Sequence, residues 1–242
     1  MTRPEDINVL IGCETSLVML DAFLARGFNA FSCDIDPADR PTNRHIRDDI
    51  HNVMHDPRWH LLCVMHPPCT RLCNSGVRWL DDPRQKNPPE EATPDEKTAW
   101  PTLDLNTRKV IMQRLLDEGA ALFSECWNAP IPLRAIENPI MHKHAKARIK
   151  NYAPPAQTVQ PWWFGEPAFK ATSFYLAGGL PPLIETKRLT PPQKGTDEHK
   201  QWSKIHRASP SADRRKIRSK TFAGIAAACA DQWGNHALRA AA

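Results

Sequence analysis

Apolar residues along this chain fall in short runs, each stopping at a polar turn, a pattern that predicts alternating strands and helices. Ile7-Asn8-Val9-Leu10-Ile11 reads as a strand entering the turn Gly12-Cys13-Glu14-Thr15-Ser16. Leu17, Leu20, Phe23 and Leu24 then recur at helical spacing as far as Gly27, a natural helix stop. Asn29 to Cys33 predicts a second strand, which ends at Asp34-Ile35-Asp36. The run from Leu61 to Met65 predicts a buried strand that stops at His66-Pro67-Pro68, because paired prolines cannot continue a ladder. Beyond it the spacing of Val110, Ile111, Leu115, Leu116, Ala120 and Phe123 predicts an amphipathic helix over 107–124, with Arg108, Lys109, Arg114, Asp117 and Glu118 facing water. Leu133 to Ile136 and Thr172 to Leu176 read as further strands. A last helix runs from about Ser219 to Trp233, with Phe222, Ile225, Ala226 and Cys229 inside. Residues 81–99 are proline-rich, charged and poor in large apolar groups, which predicts a mobile loop.

The fold class expected is α/β, and in an open α/β sheet ligands bind at the carboxyl ends of the strands. Those ends carry the candidate chemistry. Cys69 follows the strand into His66, beside a polar turn (Thr70, Arg71, Asn74, Ser75, Gly76), where a thiol meets solvent or substrate; the alternative is a small buried hydrophobe. Arg71 nearby favours the thiolate, the form that attacks electrophiles. Asp34 stands 22 residues beyond Gly12, where an acid can accept from both hydroxyls of a ribose. Asp49, with Ile50, stands where a third strand-end loop reaches an adenine amine, or is a solvated turn. Glu137 is either a second carboxylate at a strand end, able to meet Cys69 in one pocket, or a capping or salt-bridged residue.

Composition narrows the partners. The 242 residues suffice for one large α/β domain, and the formal charge of +5 suits an anionic partner without requiring one. Seven cysteines without paired spacing, together with the lack of an amino-terminal signal or a run of transmembrane length, predict a reduced, soluble, cytoplasmic protein with no membrane partner. Cys69 and Cys73 resemble half of a zinc-deaminase signature. Three residues separate them instead of two, and none of His45, His51, His55 or His60 is followed by Glu at the second position, so no metal is expected. Lys204, Arg207, Arg214, Arg215, Lys216, Arg218 and Lys220, opposed only by Asp213, form the strongest electrostatic footprint for nucleic acid. The stretch from His142 to Lys150 reads as a solvated helix face or a phosphate track, and Trp162, Trp163 and Phe164 as core aromatics or stacking platforms.

In their shared order, these motifs resemble the DNA cytosine-5 methyltransferase family, most closely the compact members that phages carry, over most of the chain. Pro67-Pro68-Cys69 is similar to the family's catalytic Pro-Pro-Cys, and Glu137-Asn138 to its Glu-Asn motif. The first strand and turn, with Asp34 and Asp49, resemble the S-adenosylmethionine site. The segment from Phe164 to Thr172 resembles the one ending in Gln-x-Arg-x-Arg, here Ala168, Lys170 and Thr172. Cys13 to Ser16 replace the family's glycine cluster. Roughly forty residues stand in place of a large target-recognition region, so base-sequence recognition is expected to be short, weak or supplied by a partner protein.

The resemblance implies a Rossmann-like S-adenosylmethionine-dependent methyltransferase fold, a mostly parallel sheet flanked by helices, in one domain spanning 1–242. Its short basic region lies at about 203–220. It implies double-stranded or single-stranded DNA as partner in a bacterial or phage-infected cell, as in restriction-modification, and S-adenosyl-L-methionine as cofactor. It assigns catalysis to Cys69, Glu137, Asn138, Arg71 and Lys170. Cofactor binding falls to Gly12, Cys13, Glu14, Thr15, Ser16, Asp34, Ile35, Asp49, Ile50 and Pro67, and nucleic-acid binding to Arg207, Arg214, Arg215, Lys216 and Arg218. Two other readings stand beside it: modification of a free cytosine nucleotide, and a catalytically silent DNA-binding or host-interaction protein on the same scaffold.

Overall fold

The computed structural model describes residues 2–59, 62–205 and 220–242. It divides into two compact units, one made of Met1–His66, Ala129–Glu137 and Pro154–Ala242, the other of Pro67–Asn128 and Asn138–Ala153.

The first unit is built on a seven-stranded, mostly parallel sheet. Its strands are β1 (Asn8–Gly12), β2 (Asn29–Asp34), β3 (His45–Arg47), β4 (Leu62–Met65), β5 (Leu133–Asn138), β6 (Gln157–Val159) and β7 (Thr172–Ala177), in the order β3-β2-β1-β4-β5-β7-β6. Parallel ladders join β1 to β2 and β4, β2 to β3, and β4 to β5, while β6 and β7 pair antiparallel. The first five strands therefore follow the doubly wound order 3-2-1-4-5, which reverses direction between β1 and β4. Strands buried on both faces need continuous apolar runs, and all four residues of Leu62–Met65 are buried.

Register fixes the functional edge. Gly12 pairs with Cys33 and Met65, and Met65 with Ile136, so Cys13, Asp34, His66 and Glu137 leave neighbouring strands at one edge. Two helices, α1 (Val18–Ala25) and the final one (Ala223–Ala240), pack on each other. With the strands they enclose a core that includes Phe23, Phe28, Phe174 and Trp233. Trp233 meets Phe174 edge to face at 5.1 Å, and its indole donates to the Pro181 carbonyl at 2.9 Å. Burying an indole with its N–H satisfied gives both area and direction to the packing. A short helix, α2 (Ile50–Val53), follows β3.

The second unit is helical. It holds α3 (Asn74–Val77), α4 (Pro94–Ala99), α5 (Leu105–Trp127) and α6 (Lys143–Lys146). α5 is capped by Asp104, which accepts from Asn106 and Thr107 amides, and buries Ile111, Leu115, Leu116, Ala120 and Phe123 as the spacing predicts. Val110 is the exception, 69% exposed, because its place on the helix falls outside the buried stripe. The stretch read as a loop over 81–99 contains α4. A capping box in which Thr93 accepts from the Glu96 amide and Glu96 from the Thr93 amide starts this helix. Among the described residues the first unit also holds α7 (Asp197–Trp202) and the final helix, α8 (Ala223–Ala240); α8 begins later and runs seven residues past the predicted Trp233. Among the described residues, no helix is long and apolar enough to cross a membrane.

Candidate functional site

The loop after β1 is held from inside. Glu14, 5% exposed, turns its carboxylate onto the start of α1, accepting from Met19 N at 2.8 Å, Leu20 N at 3.2 Å and Ser16 Oγ at 3.0 Å. Ser16 Oγ in turn accepts from Val18 N at 3.4 Å. The three leading amides of α1 are thus already bound, at the place where a doubly wound nucleotide fold binds pyrophosphate. Cys13 (φ 57°) and Leu17 (φ 62°) bracket the loop in the left-handed region, a conformation glycine adopts without strain. Gly12 itself has no room to spare: a Cβ there would lie 3.0 Å from Ile50 Cδ1 and Met65 Cγ. Thr15 and Ser16 are half-buried on the same loop, so of the five predicted cofactor residues from Gly12 to Ser16, Glu14 is the one whose side chain is buried.

At the end of β2, Asp34 Oδ1 accepts from the Asp36 amide at 3.0 Å and the side chain is half-buried. Ile35 beside it is 68% exposed, an apolar surface next to an acid. Asp49 is the N-cap of α2. Its Oδ1 accepts from His51 N at 3.0 Å and meets the His51 ring, and these contacts, the backbone N–H first, hold its carboxyl below the usual range. Ile50 is buried under it.

At the ends of β4 and β5 lies a small cavity of about 10 Å³ lined by His66, Glu137, Lys170, Thr172, Phe222 and Ile225, among others. Glu137 Oε2 is 3.6 Å from His66 Nδ1, with side chains 18% and 10% exposed. Burial pushes the Glu137 carboxyl up, but His66 and the Lys170 ammonium together outweigh it, and the group titrates below its ordinary 4.5. Lys170 donates through Nζ to the Lys220 carbonyl at 3.1 Å, and its amide donates to Gln160 Oε1. Glu166, in the same segment, accepts from the Gly224 amide at 2.9 Å and so anchors the start of α8 beside the cavity.

The second unit carries Cys69 and Cys73. Asn138 is fully buried and its Nδ2 donates to the Pro67 carbonyl at 2.8 Å, fixing the proline turn ahead of Cys69. Cys69 is half-buried, and its carbonyl accepts from the amides of Leu72 (3.0 Å) and Cys73 (3.3 Å). A Cβ on Gly76 would fall 1.7 Å from the Thr70 carbonyl oxygen, so only glycine lets this turn close. Arg71, expected to favour the thiolate, spends its guanidinium on Glu91 at 2.7 Å, an ion pair only 12% and 27% exposed. The group that does respond is Cys73, which nothing in the sequence singled out beyond the zinc comparison. A hydrogen bond from the Cys69 side chain is the largest influence on it; burial opposes, and Ser75 Oγ at 3.0 Å with the amides of Gly76 and Ser75 assists, bringing Cys73 down to about 5.

Arg207, Arg214, Arg215, Lys216 and Arg218 lie outside the described residues. Trp162 and Trp163 meet at 5.9 Å edge to face, with the Arg188 guanidinium 4.5 Å from the first ring and 5.6 Å from the second, while Phe164 is buried. Of the basic stretch 142–150, Lys143, Arg148 and Lys150 are exposed, and Arg148 is held by Asp117 and Gln113. His66 was readable only as the last residue of a strand; its burial and its approach to Glu137 come from the β4–β5 register. Among the described residues, no group of three or more His, Cys, Asp or Glu is arranged to hold a metal ion. No protein-family model matches the chain, and no curated protein matches it either.

Proposed function

We propose that the protein is an S-adenosylmethionine-dependent DNA cytosine-5 methyltransferase. The observation that carries this reading is the distribution of its motif residues over one doubly wound sheet. Gly12 and Asp34 end β1 and β2, Glu137-Asn138 ends β5, Asp49 follows β3, and the Pro-Pro-Cys follows β4. Ligands of such sheets bind at this edge.

The residues present fit the cofactor. A dinucleotide needs free amides at the start of α1, and Glu14 and Ser16 occupy them. A cofactor without phosphates makes no such demand: Asp34 would hold its ribose hydroxyls, and Ile35, exposed beside it, would offer an apolar surface to its adenine. When bound, S-adenosylmethionine supplies an electrophilic methyl group.

The chain's own residues supply the rest. Cytosine carbon 5 is a poor nucleophile until a thiolate adds at carbon 6, and Cys69 makes that bond. Glu137 holds a proton at ring nitrogen 3 and accepts from the exocyclic amine, which selects cytosine and stabilises the adduct. Because a pyrimidine is far larger than the cavity beside Glu137, it meets the rim, where the partly exposed carboxylate stands. Asn138 positions the proline turn through the Pro67 carbonyl. A water takes the carbon 5 proton, the electron pair of that bond forms the carbon 5–carbon 6 double bond, and Cys69 leaves with the carbon–sulfur pair as thiolate. A duplex target has to be flipped out first.

The test is nucleoside mass spectrometry of unmodified duplex DNA after incubation with the protein and S-adenosylmethionine. One methyl gained on deoxycytidine, and none with Cys69→Ser, is the expected result. No gain on duplex DNA, single strands or deoxycytidine monophosphate sinks the reading.

A further inference from the structure

His66 stands out from the other groups of the first unit because it is nine-tenths buried and neither ring nitrogen has a hydrogen-bond partner among the described residues. A histidine kept for packing is normally satisfied, since a buried unpaired nitrogen gives up its hydrogen bonds to water without replacement. Its backbone is fixed, the amide donating to the Gly12 carbonyl at 2.8 Å, and the β4–β5 register sets it beside Glu137. Glu137 Oε2 lies 3.6 Å from Nδ1, just beyond a hydrogen bond.

The proposed chemistry creates a need at this point. Adduct formation requires a proton on cytosine nitrogen 3, yet Glu137 rests as a carboxylate. Lys170 stabilises that anion, but its ammonium donates to the Lys220 carbonyl. We propose that His66 is the positioning residue that delivers a proton through Glu137 to nitrogen 3 of the target cytosine. The inference rests on the cytosine-methyltransferase reading.

The step balances as follows. The Cys69 sulfur bonds to carbon 6, the displaced π electrons localise across carbon 5 and the ring, and nitrogen 3 takes the Glu137 carboxyl proton. The imidazolium has protonated Glu137 through Nδ1 and is left neutral. When the carbon–sulfur bond breaks, the nitrogen 3 proton returns along the same route. The charged or titratable groups facing His66 and Glu137 are Lys170, from the segment before β7, and Cys229 on α8, a thiol that burial and the Glu137 charge keep protonated.

The experiment compares wild type and His66→Gln by kcat and KM across pH, and by 13C NMR titration of the Glu137 carboxyl without cofactor or DNA. Expected are a fall in kcat of about 100-fold, at the low end for a positioned acid, with KM nearly unchanged. The wild-type dependence of kcat on pH should disappear in the variant. The Glu137 carboxyl should titrate higher without His66. An active wild type whose variant keeps its pH profile, or loses activity equally at every pH, overturns this inference alone. A wild type that leaves cytosine unmethylated overturns the reading and the inference together. Should His66→Gln fail to fold, the wild-type protein decides: Glu137 and the His66 ring titrating independently of each other overturns the relay.

Discussion

Glu14 and Glu137 both leave the carboxyl edge of one sheet and both are largely buried, yet their surroundings differ in kind. Glu14 receives two backbone amides and a serine hydroxyl, so its charge is spent on starting α1. Glu137 has a histidine 3.6 Å away and a lysine ammonium nearby. The first arrangement is what stability requires of a buried carboxylate, complete satisfaction by fixed dipoles. The second holds the charge without saturating its oxygens, and so keeps hydrogen-bonding capacity for something that arrives later. Position at a strand end is therefore not enough to mark a functional acid; unspent hydrogen-bonding capacity is the better sign.

The contrast is easy to attack. Glu137→Gln should lower turnover by about 100- to 1,000-fold, the scale of a general acid or a transition-state hydrogen bond, while the protein stays folded with only a small loss in melting temperature. A melted protein would move Glu137 into the same class as Glu14. Glu14→Ala should do the reverse, costing about 2–3 kcal/mol because two buried amides lose their acceptor. In a calorimetric scan that is roughly 5–10 °C of Tm for a chain of this size. Asp49→Ala tests an intermediate case, an exposed acid already capping α2, and should cost about 1 kcal/mol in urea unfolding. The smallest effect is in pH. Since the folded-state value of Glu137 is depressed, its stabilising contribution is present above the ordinary 4.5 and is lost as pH falls through the folded value. Unfolding titrations at pH 6 and pH 3 should show Glu137→Gln losing less stability on acidification than wild type. An equal loss would mean that His66 and Lys170 do not hold the carboxylate down.

Much of this sheet was readable because its strands are continuous apolar runs that stop at polar turns, as Leu62–Met65 stops at His66. The short edge strand β6 was not: Gln157 and Thr158 are half-buried and carry no alternation that three residues can display. The expected last helix starts about four residues early and stops seven residues short for a similar reason. Its alanines give little period, and Ala237 is buried beyond the Trp233 that looked like a natural stop. At the site, the positions of Asp34, Asn138 and Glu137 follow from strand ends. Side-chain direction does not: whether Glu14 faces a ligand or its own helix depends on the left-handed Cys13 and Leu17, which no residue type announces. Arg71 was assigned to Cys69 by sequence proximity, whereas its ion-pair partner is Glu91, 20 residues away.

The pairing of Cys69 with Cys73 bears on how the nucleophile should be looked for. Alkylating reagents report the sulfur that is ionised at rest, and here Cys73, at about 5, is anionic at neutral pH. Iodoacetamide will therefore mark Cys73 readily, and the bulky adduct four residues from Cys69 will block activity whichever sulfur performs the chemistry. Loss of activity on labelling is thus no assignment. If the proposed reaction holds, a 5-fluorocytosine strand, which would stall after the methyl is added, reads the bond itself, and the peptide it leaves attached names the sulfur.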